Sequence, residues 1–229
     1  MTANTTVLAA DTNWSIIGPN MLRAFGDTLW MVTVTMLFAG IIGLAFGMLL
    51  FVTRRSGLLP SGPLNTFINV LVNFIRPIPF IILVAVMGPI TLMVVGTTVG
   101  SNAAIFVMII AASFAIARLV EQNLMAIDPG VIEAARAMGA SPWRIIRTVI
   151  IPEALGPMIL GYTFAFIAVV DMSAMAGYIG GGGIGDFAIV YGYRAFNWEV
   201  TIAATILIII LVQAAQLLGN WLSRKIMRR

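Results

Sequence analysis

The sequence contains no cysteine and no histidine, and Lys225 is the only lysine among its 229 residues. Without cysteine there is no disulfide, thiolate nucleophile or cysteine metal ligand, and without histidine the commonest metal ligand is missing. A phosphate-binding loop of the G-x-x-x-x-G-K-[ST] type needs a lysine after its glycines, and none stands there. These absences predict a chain with no catalytic residues, no metal site and no ATP site of that type.

Charged residues are also scarce. They make up 10% of the chain, against about 25% in an average soluble domain. Hydrophobic residues make up 60%, and the mean hydropathy is +1.03. Because so few polar side chains cannot cover a water-exposed surface, the sequence predicts an all-α integral membrane protein whose partner is the lipid bilayer.

Apolar stretches long enough to cross a bilayer, which takes about 20 residues, occur five times. The predicted spans are residues 29–53, 64–87, 99–117, 157–178 and 200–222. Residues 64–117 would extend roughly 80 Å as one helix, so they must fold back. The turn signals there are Gly88-Pro89 and the segment 96–102.

The distribution of basic residues predicts the orientation. With the C-terminus in the cytoplasm, ten of the 13 basic residues fall on the cytoplasmic side, as the positive-inside rule requires. Residues 29–229 then form one transmembrane domain in a bacterial inner membrane, and 1–28 form an external tail. The segment at Trp14 lies either at the membrane interface or in a loosely ordered tail. The net charge of +4 follows from this topology and does not indicate nucleic-acid binding.

The loop of residues 118–156 between spans three and four carries helix-capping signals. Asp128-Pro129 places an N-cap residue before a proline at the first helical position. The helix continues to Met138, and Gly139 is placed to close it in a left-handed conformation. The sequence therefore predicts a short cytoplasmic helix that ends at a glycine.

A second helix begins at Ser141-Pro142 and is predicted to end at Pro152. Trp143, Ile146 and Ile150 are expected to share one of its faces. The two helices form a hairpin outside the bilayer. The residues alone leave two interpretations open, since this hairpin either docks on another protein or packs on its own spans as an ordinary surface loop.

The same loop resembles the EAA loop of ABC-importer permeases, whose pattern is E-A-A-x3-G-x9-I-x-L-P. The matching positions are Glu133, Ala134, Ala135, Gly139 and Pro152. Val149 and Ile151 are conservative departures from the Ile and Leu of the pattern. The resemblance implies that these residues form a coupling helix, which fits a cleft on a separate ATP-hydrolysing subunit.

Two further segments extend this resemblance. Arg76-Pro77-Ile78-Pro79 is similar to the R-x-x-P segment of amino-acid permeases, and Pro77–Pro79 is predicted to break the second span. The stretch 171–177, the glycine run 180–185 and Tyr191-Gly192-Tyr193 resemble the methionine-uptake permeases. The implied protein has the five-span permease fold of that subgroup and transports methionine.

The resemblance also implies the assembly. Two copies of the chain form the translocation path, with two ATP-binding cassette subunits that hold ATP–Mg and an extracytoplasmic substrate-binding protein. No cofactor belongs to this chain. The alternatives are a permease for another small amino acid or metabolite, or a secondary transporter that works without ATP.

Two ionisable residues fall within predicted spans. Arg76 and Asp171 lie at similar depths, and with Ser173 and Met175 they are candidates for the pathway. Three interpretations remain open. Arg76 and Asp171 form a structural ion pair or backbone hydrogen bond, or they line a polar path for a zwitterionic substrate, or Asp171 lies near the external interface.

Glycines mark two other places. The run 180–185 satisfies G-x-G-x-x-G, but no strand precedes it in a βαβ unit, so a dinucleotide site is excluded. This run is either a flexible turn or a gate and partner-contact loop. Gly40, Gly43 and Gly47 form a small-residue stripe in span one, which packs either within the chain or against a second copy.

Overall fold

The computed structural model describes residues 12–227, and all the regular secondary structure in this range is helical. The helices are α1 (Trp14–Thr53), α2 (Gly62–Ile75), α3 (Phe80–Val95), α4 (Ser101–Met125), α5 (Pro129–Ala137), α6 (Pro142–Ile145), α7 (Ile151–Tyr178), α8 (Gly183–Phe187) and α9 (Trp198–Met227). Two π-helical turns, Ile146–Ile150 and Ala188–Tyr193, precede α7 and follow α8.

The described residues contain four helical segments that are long and apolar enough to cross a bilayer. They are Trp14–Thr53, Ser101–Met125, Pro142–Tyr178 and Trp198–Met227. Helices α2 and α3 pass the same test together but meet at an angle of 111°. Counted as one broken span, this pair brings the total to the predicted five.

The first helix begins earlier than the sequence predicts. Asn13 caps it, since the Asn13 side chain accepts a hydrogen bond from the Ser15 amide at 3.2 Å. Residues 14–28 thus belong to α1, so the prediction of a tail up to residue 28 was wrong for this part. Here Ile17 and Phe25 pack against the buried cluster around Phe187. Residues 1–11 lie outside the described part of the chain.

The predicted break at Pro77–Pro79 is confirmed, whereas the turn expected at Gly88-Pro89 is absent because α3 continues through it. Pro77 and Pro79 remove two backbone donors within one turn, which interrupts the helix. Pro89 removes one donor, and a single proline is tolerated in a membrane helix. The turn expected over 96–102 is confirmed, and Gly96 closes α3 at a φ of +82°.

Close packing of α1 against α4 forms the centre of the fold. A Cβ atom at Gly43 would lie 2.6 Å from the Ile116 side chain, and one at Gly47 would lie 2.5 Å from the Ala117 carbonyl oxygen. At Gly40, the carbonyl oxygen accepts a hydrogen bond from the Tyr162 hydroxyl at 2.7 Å. The glycine stripe therefore packs within the chain.

The glycine run 180–185 is a packed junction and not the flexible turn of one interpretation. The Gly100 amide donates to the Gly180 carbonyl oxygen at 3.0 Å, and the Ser101 hydroxyl donates to that of Gly181 at 3.1 Å. The Ile184 amide donates to the Thr28 hydroxyl at 2.8 Å. The glycine run is thus bonded to the start of α4, and the start of α8 is bonded to α1.

We expect Gly47→Val to destabilise the protein, because the added side chain meets the Ala117 carbonyl and Val120. Overpacking of this kind costs about 1–3 kcal/mol. Thermal denaturation in detergent measures the effect. The matched control is Gly26→Val in the same helix, where an added Cβ meets nothing within 4 Å. Equal melting temperatures for the two variants would contradict the packing argument.

Candidate functional site

The hairpin predicted from residues 128–152 begins with α5, which has both predicted caps. The Asp128 carboxylate accepts a hydrogen bond from the Gly130 amide at 2.8 Å, and Pro129 occupies the first turn. Gly139 adopts a φ of +77°, which a glycine takes without strain. The prediction of a short helix closed by a left-handed glycine is confirmed.

The second helix differs from the prediction, because it does not end at Pro152. Ser141 caps α6, and the chain passes through the π turn into α7 without a break. In this turn the Ile151 amide bonds to the Ile146 carbonyl oxygen, five residues back. The wider π turn accommodates the missing donor of Pro152, so hairpin and span form one helical segment, Pro142–Tyr178.

The expectation that Trp143 shares a face with Ile146 and Ile150 was wrong, because Trp143 lies in the first turn of α6 and is directed away from the hairpin core. Trp143 is 66% exposed, whereas Ile146 and Ile150 are buried. The buried face instead joins Ile145 to Ile132 and Ala135 of α5 in the main core cluster.

The outer face of the hairpin combines charge with exposed apolar surface. Glu133 and Ala134 are exposed on α5. Met138 is 81% exposed at the turn, and Trp143 is exposed at the start of α6. Large exposed apolar side chains with charged neighbours are typical of a protein–protein contact.

The hairpin is also hydrogen-bonded to the loop that follows α1. The Arg136 guanidinium donates to the Gly57 carbonyl oxygen at 3.0 Å. Ala135 is buried in the core, so a larger side chain there would separate α5 from the π turn. Of the EAA positions, Glu133 and Ala134 therefore face outwards, whereas Ala135 holds the hairpin together.

A cavity of about 360 Å³ opens between α4, α7 and the break in the second span. Arg76 lines it from the break, Gln122 from α4 and Met172 from α7. The rest of its wall is apolar and includes Leu119 and Phe164. The cavity wall is therefore hydrophobic except for the Arg76 guanidinium and the Gln122 amide.

The other pathway candidates do not converge on this cavity. Asp171 is exposed on α7 and makes no ion pair with Arg76, since the ion pair found within residues 12–227 joins Arg118 to Glu121. Ser173 is buried, and its hydroxyl donates to the Val170 carbonyl oxygen at 2.7 Å. Met175 packs against the core cluster. The ion-pair interpretation of Arg76 and Asp171 was therefore wrong.

Sequence reasoning missed a polar network between α2 and α4. Arg118 donates to Asn69 Oδ1 at 3.0 Å and to Asn73 Oδ1 at 2.8 Å, and it forms the ion pair with Glu121. The Asn69 amide group continues the network to Asn65 Oδ1 at 2.9 Å. The signal was present in the sequence, because the three asparagines recur every four residues along one face of an apolar helix.

Comparison with known proteins places the chain in a family. The profile of the binding-protein-dependent transport system inner membrane components matches residues 43–228. The chain belongs to this family. A probable D-methionine transport system permease protein MetI of Vibrio cholerae is 38% identical, over 91% of this chain and 93% of that protein. The methionine import system permease protein MetP of Bacillus subtilis is 41% identical, over 79% of this chain and 82% of that protein.

Solved structures agree with this family assignment. A chain of the MetNI methionine ABC transporter, in inward-facing conformations, matches with a TM-score of 0.88 at 39% identity, covering 92% of this chain and 98% of that one. A chain of an amino acid ABC transporter shares the fold, with a TM-score of 0.70 at 21% identity. The predictions of an ABC-importer permease fold, of an inner membrane protein and of a transport subunit are thus confirmed.

We expect Arg118→Ala to weaken the contact between α2 and α4, because it leaves Asn73 and Glu121 without their partner. Unsatisfied polar groups of this kind cost about 1–3 kcal/mol. Thermal denaturation in detergent is the measurement, with Arg55→Ala as the control, since Arg55 lies exposed in the loop before α2. A melting temperature of Arg118→Ala equal to that of the unaltered chain would show that the network adds no stability.

Proposed function

We propose that the chain is the transmembrane permease subunit of an ATP-driven importer of methionine. The family assignment and the methionine permeases among its relatives support this substrate. Two copies form the translocation path, two ATP-binding cassette subunits bind ATP–Mg, and an extracytoplasmic binding protein delivers the amino acid.

The observation that carries the proposal is the outer face of the hairpin. Met138 and Trp143 expose large apolar surfaces, and Glu133 exposes a charge, in the segment that matches the EAA pattern. A surface of this composition gains free energy when a partner covers it. The ATP-hydrolysing subunit is that partner, and Glu133, Ala134 and Gly139 form or shape the contact.

Coupling follows from the rigidity of this segment. The hairpin packs through Ile132 and Ala135 onto the π turn, and the π turn continues directly into α7. A displacement of the hairpin by closure of the ATPase dimer therefore moves α7, which lines the cavity. This is a two-state shift between inward-open and outward-open forms, biased by ATP binding. Pro152 lies at the joint between hairpin and span.

The proposed orientation of the chain has the N-terminus outside and the C-terminus in the cytoplasm. Because the chain has no cysteine, single cysteines report it cleanly. We expect a membrane-impermeant maleimide to label Ala195→Cys, before α9, in intact spheroplasts, and to label Ser56→Cys, in the loop after α1, only after the membrane is opened. Both positions are exposed. The reverse pattern would contradict the orientation.

Glu133→Lys tests the coupling contact. We expect ATP-dependent methionine uptake to fall at least about tenfold, equivalent to about 1.4 kcal/mol of coupling, because the reversed charge disrupts docking. Uptake in proteoliposomes is measured with the ATPase that co-purifies with a C-terminally tagged chain.

The control for this variant is Glu199→Lys, which makes the same charge change at an exposed position in the first turn of α9, the predicted external end. It should retain uptake. Full uptake by Glu133→Lys, or recovery of a tagged chain that transports methionine without any ATPase, would contradict the proposed function.

A further inference from the structure

The cavity between α4, α7 and the broken span has the chemistry of a carboxylate site. Its polar groups are the Arg76 guanidinium and the Gln122 amide, and its apolar wall includes Leu119, Phe164 and Met172. The cavity lies on two of the helices that the coupling segment moves or contacts, since α7 continues from the hairpin and α4 packs against α7.

The Arg76 side chain has no partner within the described residues. No hydrogen bond, ion pair or ring contact of its guanidinium occurs among residues 12–227, where Arg118 takes Glu121 as its ion-pair partner. An unpaired charge within a membrane span is costly unless it faces water or a ligand of opposite charge. On the open side of the cavity, the Arg76 guanidinium can face water or a ligand of opposite charge.

The remaining wall favours an apolar side chain. Leu119 and Phe164 provide hydrocarbon and aromatic surface, and the thioether of Met172 is polarisable and adapts to the shape of its neighbours. An amino acid with a carboxylate and a flexible apolar side chain matches a cavity that has a cation on one side and an apolar wall on the other. A dicarboxylic or cationic amino acid would place a second charge against the apolar wall.

We propose that Arg76 binds the α-carboxylate of the amino acid during translocation, with the substrate side chain against Leu119, Phe164 and Met172. This inference rests on the proposed function, because it takes the translocated amino acid as the ligand. It makes the permease itself a second point of selection after the binding protein.

Protection of a single cysteine tests the site directly. Ala168 lines the cavity, so Ala168→Cys places the one thiol of the chain in its wall. The permease–ATPase complex is purified in detergent without binding protein and treated with a small maleimide. At a methionine concentration about 10 times its Kd, the labelling rate should fall about tenfold.

The control position is Ala214→Cys, which lines the separate groove between α7 and α9 and should gain no protection. Methioninamide lacks the carboxylate and should not protect Ala168→Cys, whereas N-acetylmethionine keeps the carboxylate and should. Adding Arg76→Gln should abolish protection by methionine, and Arg76→Lys should retain part of it.

Equal protection by methionine and methioninamide would overturn the assignment, and this comparison needs no change at Arg76. Methionine protection that persists in Arg76→Gln would overturn it too. Uptake assays on Ala168→Cys distinguish a failure of the carboxylate site from a failure of the proposed function. A complex that transports methionine with ATP but shows no protection refutes the carboxylate site alone, whereas a complex that neither transports nor is protected refutes the proposed function as well.

Discussion

The close approach of α1 to α4 is the contact on which the rest of the structure depends. Gly43 and Gly47 leave no space for a side chain between these helices, so α4 lies against α1 over much of its length. In a bilayer, where lipid tails are as apolar as the helices, such close packing is a main source of association. Because α4 also contacts α2, α3 and α7, its position determines the positions of the broken span and of the cavity.

One uninterrupted helical segment, Pro142–Tyr178, connects the hairpin, the cavity and the glycine junction. Its first turn belongs to the hairpin, its middle lines the cavity and its end meets the glycine junction. The π turn makes this continuity possible, since it carries the chain past Pro152 without breaking the helix. In the proposed coupling, a movement of the hairpin is transmitted along this element, and the glycine junction joins its far end to α1 and α4.

Local signals in the sequence predicted the local structure well. The caps at Asp128 and Ser141, the left-handed Gly139 and the break at Pro77–Pro79 each depend on a few adjacent residues, and all were confirmed. Prolines were overinterpreted as helix ends at Pro89 and Pro152. At Pro89, neighbouring groups compensate for one missing donor within the membrane, whereas at Pro152, before the predicted span, the π turn carries the helix past the proline.

By itself, the sequence determined the class of the protein. Its scarcity of charge requires a bilayer, its basic residues predict an orientation, and the pattern from Glu133 to Pro152 identifies the permease family. Only the tertiary structure decided which polar residues meet. Counting residues along the predicted spans places Arg76 and Asp171 at similar depths, yet Arg76 shares a cavity with Gln122, while Asp171 stays outside it. Depth follows from counting residues along a helix, whereas the direction in which a side chain points depends on how the helices rotate against one another, and close packing between distant segments fixes that rotation.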